Sequence, residues 1–119
     1  MRIIVLDTSV FISACLSNGG ASREALRLCL NRRCVPLLGE ALYAEYEAVL
    51  SRERLFRGCA LEARERTALF EAFLGVCRWT RVYFSWRPNV PDESDNHVVE
   101  LAVAGGAEAI VARNASLAN

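Results

Sequence analysis

The chain has 119 residues, 53% of them hydrophobic, and its 14 basic and 14 acidic side chains cancel to a net charge of zero. That supplies one domain with a sizeable core, and it excludes a protein that holds nucleic acid by bulk charge alone, though not one with a local basic rim. Every basic residue is arginine, and without lysine neither P-loop nucleotide binding nor phospho-receiver chemistry has its phosphate partner.

The first element, Arg2 to Leu6 (R-I-I-V-L), is a short run rich in β-branched residues and reads as a central strand. It runs into Asp7 too soon for a signal peptide, and no apolar run reaches the roughly 18 residues of a membrane span. The expectation is a cytoplasmic protein with no membrane contact. Thr8 to Leu16 reads as a helix stopped by S-N-G-G. Ser22 is the expected N-cap of a second helix, with Ala25, Leu26, Cys29 and Leu30 at helical spacing. Cys34 to Leu38 (C-V-P-L-L) has strand length, and Pro36 pushes it toward a strand end or a sheet edge.

Glu40 to Ser51 and Leu61 to Cys77 read as helices, the second with Leu61, Ala68, Leu69, Ala72, Phe73 and Val76 on its apolar face. Trp79 to Phe84 (W-T-R-V-Y-F) reads as a strand and Ser85 to Pro91 as a loop. Asp92 to Ala104 is a helix closed by Gly105 and Gly106, and Ala109 to Ala112 a last short strand. Strands alternating with helices predict an α/β fold: one domain over residues 1–119, with a parallel sheet covered on both faces. The five cysteines form no C-x-x-C pair and stand far from the lone His97, so they read as reduced, mostly buried thiols.

The acids carry the chemistry. In an open parallel sheet, ligands bind at the carboxyl ends of the strands, which is where Asp7 stands. Alone it is as easily a helix N-cap. Leu38, Ala41, Leu42, Glu45 and Val49 share one helical stripe, so Glu45 falls among apolar residues, whereas Glu47 does not. A core-facing glutamate is costly without compensation, and the bland reading places it at the stripe's edge or against an arginine. In P-D-E-S-D-N-H, Asp92 serves as the cap, and Asp95 stands three and four residues before Val98 and Val99 on the inward face. Asn114 follows the last strand as Asp7 follows the first, and an amide oxygen can ligate a hard cation.

Three carboxylates and an amide converging at one sheet edge would repel one another when empty. Oxygen-only donors match Mg²⁺ or Mn²⁺, which activate water and stabilise charge on a phosphoryl group. Thr8 and Ser9 are placed to orient a carboxylate or a metal-bound water. No Ser-His or Cys-His nucleophile is visible, and His97 reads as a surface or partly buried residue. Arg32 and Arg33, the Arg52/Arg54/Arg57 group, and Arg78/Arg81/Arg87 are candidate phosphate contacts or simply a solvated face.

Three stretches carry a resemblance: V-L-D-T-S-V-F-I-S-A, L-Y-A-E-Y-E-A-V-L-S-R, and D-E-S-D-N-H-V-V-E-L-A-V-A-G-G-A-E-A-I-V-A-R-N. In that order and spacing the sequence resembles the PIN-domain ribonucleases, most closely the bacterial group regarded as toxins of toxin–antitoxin systems. The resemblance implies a three-layer α/β/α sandwich with a central parallel sheet. It implies Mg²⁺- or Mn²⁺-dependent endonucleolytic hydrolysis of RNA, a homodimer, and inhibition by a cognate antitoxin protein. Carried over by position, it makes Asp7, Glu45 and Asp95 the catalytic, metal-binding acids, with Asn114 as the fourth ligand.

Two departures stand beside it. After Asn114 the chain reads A-S-L-A-N, where relatives continue through an acid-containing segment, so a shortened carboxyl end is expected. Ala112 replaces the usual threonine. They motivate an alternative: a catalytically weak PIN fold that binds RNA or an antitoxin without cutting. A haloacid-dehalogenase-type phosphatase also begins with a strand-end acid, but here Ser9 stands where its second aspartate belongs.

Overall fold

The fold is seen in a computed structural model, which describes residues 1–17, 20–82 and 96–113. In chain order the elements are strand β1 (Arg2–Leu6), helices α1 (Thr8–Leu16) and α2 (Ala21–Leu30), strand β2 (Cys34–Leu38) and helix α3 (Glu40–Leu50). A 3-10 turn (Glu53–Phe56), helix α4 (Ala63–Val76), strand β3 (Arg78–Trp79), helix α5 (Asn96–Gly105) and strand β4 (Ala109–Val111) complete them. The four strands form one parallel sheet in the order β3-β2-β1-β4. This is the α/β architecture that the alternation of strands and helices predicts.

The order fixes both the layers and the place where a ligand can enter. The chain steps outward from β1 to β2 to β3, then returns through α5 to β4 on the other side of β1. Right-handed crossovers therefore put α1 to α4 on one face of the sheet and α5 on the other. Helix α5 accordingly packs across β1, β2 and β4. The reversal of direction falls between β1 and β4, so the crevice of this sheet opens at their carboxyl ends. Asp7 and Arg113 stand there.

Beneath α1 to α4 the core is aromatic. Phe11 packs edge-on against Tyr46 (5.6 Å, 88°) and Phe70 (5.9 Å, 86°), while Tyr46 stacks on Phe70 (5.4 Å, 25°) and lies 5.6 Å from Phe73. On the other face Val98 and Leu101 of α5 are buried against the sheet. A methyl group on Gly105, the last residue of α5, would fall 2.3 Å from Leu37 Cδ1, so glycine is what lets the helix end close onto β2.

Three details depart from the sequence reading. Pro36 lies in an interior strand, not at an edge. It pairs in register with Ile4, and the β3 ladder begins only at Leu37, one residue beyond the position that cannot donate. The buried stripe of α4 runs through Arg66, Phe70 and Phe73, while Ala68 and Ala72 are exposed. Arg66 is accommodated because its guanidinium bonds the Leu61 carbonyl (3.0 Å) and Glu53 (2.8 Å) and lies 4.2 Å from the Phe56 ring centroid. The second helix begins at Ala21, with Gly20 rather than Ser22 as its cap. Residues 83 and 84 of the expected third strand, and residues 92–95 of the expected last helix, lie outside the described residues.

Candidate active site

Asp7 leaves β1 and caps α1. Its backbone N–H donates to the Val111 carbonyl (2.9 Å), which ties the exit of β1 to β4. Its Oδ2 accepts from the Ser9 backbone N–H (3.1 Å) and the Ser9 hydroxyl (2.6 Å), so the capping role expected of this carboxylate is real. The same Ser9 oxygen accepts from the Arg113 backbone N–H (3.0 Å), and the Arg113 guanidinium donates to Ser13 Oγ (2.9 Å). One hydroxyl thus fixes the first acid and the chain end of β4 together.

Glu45 is the second acid. Thr8, only 5% exposed, donates its hydroxyl to Glu45 Oε2 at 2.9 Å, and His97 Nε2 meets Oε1 at 2.8 Å. The buried stripe of α3 runs through Leu42 and Tyr46, with Ala41 exposed, so Glu45 flanks it and is about one-third exposed. Its compensation is a threonine and a histidine rather than an arginine. The neighbouring Tyr46 turns inward, and its hydroxyl donates to the Leu6 carbonyl at 2.7 Å, one residue before Asp7. Burial holds the Tyr46 phenol well above its ordinary pKa, so it stays a neutral donor.

The fold therefore brings Asp7, Thr8, Ser9 and Glu45 to one end of the sheet. Asp92, Asp95 and Asn114 lie outside the described residues. Among the described residues, no group of three or more His, Cys, Asp or Glu side chains is placed to hold a metal ion. Asp7 and Glu45 are nevertheless hard oxygen donors at the crevice, which is the donor chemistry that Mg²⁺ and Mn²⁺ take. Thr8 and His97 each engage one Glu45 oxygen, and each oxygen keeps a second lone pair for an ion.

His97 is the residue that sequence reasoning missed. Helical spacing says only that it opens α5; nothing in one dimension reveals that this end of α5 meets Glu45 of α3. The clue available was its place inside D-E-S-D-N-H, two residues after an acid already suspected of function. The arginine groups divide by strand polarity. Arg32, Arg33 and Arg78 precede or open β2 and β3, so they lie at the amino edge, opposite the acids. Arg81 follows β3 on the acid side. Arg52, Arg54 and Arg57 are exposed around the 3-10 turn, and Arg87 is outside the described residues.

A family model for the PIN domain matches residues 3–116, nearly the whole chain. No curated protein and no solved structure matches it. Among the described residues, no helix is long and apolar enough to cross a membrane.

Proposed function

The chain belongs to the PIN-domain family, whose members are generally nucleases that use divalent metal ions, and on that premise we propose that it is a Mg²⁺- or Mn²⁺-dependent endoribonuclease. The observation that carries this reading is that the residue after the first acid holds the second. Thr8, adjacent to Asp7, is hydrogen-bonded to Glu45 at the carboxyl end of β1, where an open parallel sheet binds its ligand. His97, two residues after Asp95, reaches the same glutamate, which favours Asp95 as the third acid. Asn114, next to Arg113 and its bond to Ser9, is the fourth position.

Asp7, Glu45, Asp95 and Asn114 would hold a divalent cation, which would supply an activated water and neutralise charge on the phosphodiester. The chain's own residues prepare that site. Ser9 holds Oδ2 of Asp7 and leaves its other oxygen to a ligand, Thr8 fixes the orientation of Glu45, and His97 keeps Oε1 engaged. RNA cleavage is expected with Mg²⁺ or Mn²⁺, and Asp7→Asn is expected to lose roughly a hundredfold or more of it. Equal cleavage by the variant would assign the activity to a contaminant and overturn the reading.

The fuller role is that of the toxin of a type II toxin–antitoxin pair, a cytoplasmic homodimer silenced by its antitoxin. Growth arrest on expression, relieved by the product of an adjacent reading frame, is the expected signature. A second reading, a PIN fold that binds RNA or an antitoxin without cutting, is favoured by the uncharged Asn114. A melting temperature that rises with millimolar Mn²⁺ supports the nuclease, and one that ignores it supports the binding module.

A further inference from the structure

A groove of about 390 Å³ runs between α3 and α4 and is bounded by the 3-10 turn that lies between them in the chain. Tyr43, Leu50 and Leu74 give it an apolar lining, and Glu47, Glu53 and Glu71 add three exposed acids. Glu53 is committed within the chain, since it holds the buried Arg66 guanidinium at 2.8 Å. Glu47 takes a hydrogen bond from the Tyr43 hydroxyl. Among the described residues, neither Glu47 nor Glu71 has a cationic partner. A groove with this charge repels a polyanion, so RNA is the wrong occupant.

The turn beside the groove has the opposite character. From Arg52 to Arg57 the chain reads R-E-R-L-F-R. Glu53 and Phe56 engage Arg66, which also donates to the Leu61 carbonyl at 3.0 Å, so the turn is tied firmly to α4. The other four side chains, Arg52, Arg54, Leu55 and Arg57, are exposed. Among the described residues, none of these arginines meets a carboxylate. The turn therefore sets cations around an apolar side chain, while the groove sets anions around an apolar lining. Within one copy the two patches adjoin without satisfying each other, and both are fixed before any partner arrives.

We propose that the groove docks the 3-10 turn of a second copy, with Leu55 over the apolar lining and the arginines against Glu47 and Glu71. Complementary patches side by side on one face pair reciprocally across a two-fold axis, so each copy gives its turn and receives the other's. Arginine suits both parts of the groove, because its fork matches a carboxylate and its plane stacks on a ring such as Tyr43. The proposal names the face of the homodimer put forward above, and it rests on that pairing and not on cleavage.

Analytical ultracentrifugation of the full chain tests this. A concentration-dependent rise from the 13.2 kDa of one chain to twice that mass is expected. The charge reversals E47R/E71R and R52E/R54E should each weaken self-association about tenfold or more, because like charges then face each other. Mixed together, the two variants should recover pairing near the wild-type level, since each supplies the charges the other now lacks. All four positions are exposed, and far-ultraviolet circular dichroism matching wild type shows that the variants fold. A dimer indifferent to both reversals, or no recovery on mixing, overturns this face and leaves a homodimer through another. A wild-type chain that stays monomeric overturns both, even if an arginine-rich peptide then binds the groove. RNA cleavage with Mn²⁺, assayed separately, decides the nuclease reading alone.

Discussion

Glu45 and Tyr46 are neighbours in sequence and belong to opposite kinds of region. Tyr46 joins a block of four aromatic rings in which each member touches at least two others, so its position is over-determined. Glu45 joins a cluster linked only by directed hydrogen bonds: Thr8 to Glu45, His97 to Glu45, Ser9 to Asp7 through both its N–H and its hydroxyl, and Arg113 to Ser9. The aromatic block holds the fold through area, which is non-directional and tolerant of small shifts. The polar cluster fixes atoms, which is what chemistry at a phosphodiester requires. Stability and the proposed chemistry are thus lodged one residue apart on α3.

The largest effect expected from this division is on stability. Phe73→Ala should cost about 3–5 kcal/mol, read as a lower denaturation midpoint, while RNA cleavage per folded molecule stays near wild type. Cleavage that disappears from a still-folded variant would break the division. Thr8→Val is the converse test. It removes the donor to Glu45, and RNA cleavage should fall roughly 10- to 100-fold with little change in melting temperature, while Thr8→Ser restores most of it. Tyr46→Phe sits on the boundary, because its hydroxyl bonds the Leu6 carbonyl beside Asp7. It should cost about 1–2 kcal/mol and lower cleavage only modestly. A large loss of cleavage there would show that the boundary bond positions Asp7.

A last effect belongs to the thiols, absent near neutrality and emerging only in alkali. Burial, reinforced by neighbouring thiols, pushes Cys15 and Cys29 up to about 11 and Cys77 up to about 12, from an ordinary value of 9.0. The fold therefore favours the neutral thiol. Its contribution is complete below pH 9 and is lost as pH rises through 11 to 12, because the unfolded chain releases these protons first. Burial of the Tyr46 phenol acts in the same direction. Melting temperature should be insensitive to these groups from pH 7 to 9 and fall above it; calorimetry at stepped pH checks this. An unchanged melting temperature at pH 11 would mean that the thiols are not buried in the folded chain.

What the sequence made legible was local. Arg2–Leu6 and Cys34–Leu38 read directly as strands because β-branched and apolar runs of that length have few other fates. Asp7, Thr8, Ser9 and Glu45 could be placed near one another from strand ends and helix phase. The phase itself was off by one residue in α3 and by a similar step in α4, where a uniform hydrophobic count cannot foresee that Arg66 stacks on Phe56. The contact of His97 with Glu45 was not legible, since it depends on how the start of α5 meets α3. That information resides in the strand order and appears in no single segment.

The bond between Ser9 and Arg113 joins residues separated by 104 positions in the chain. On the ribosome, Ser9 emerges early and Arg113 about 5–20 seconds later at ordinary rates of synthesis. Throughout that interval the hydroxyl that steadies Asp7 lacks its second partner, and β1 has only one of its two neighbouring strands. A nascent chain surrounded by messenger and ribosomal RNA therefore carries its first acid in an unfinished setting. The long closure between β1 and β4 works as a timing device, delaying assembly of the site until β4 itself has been made.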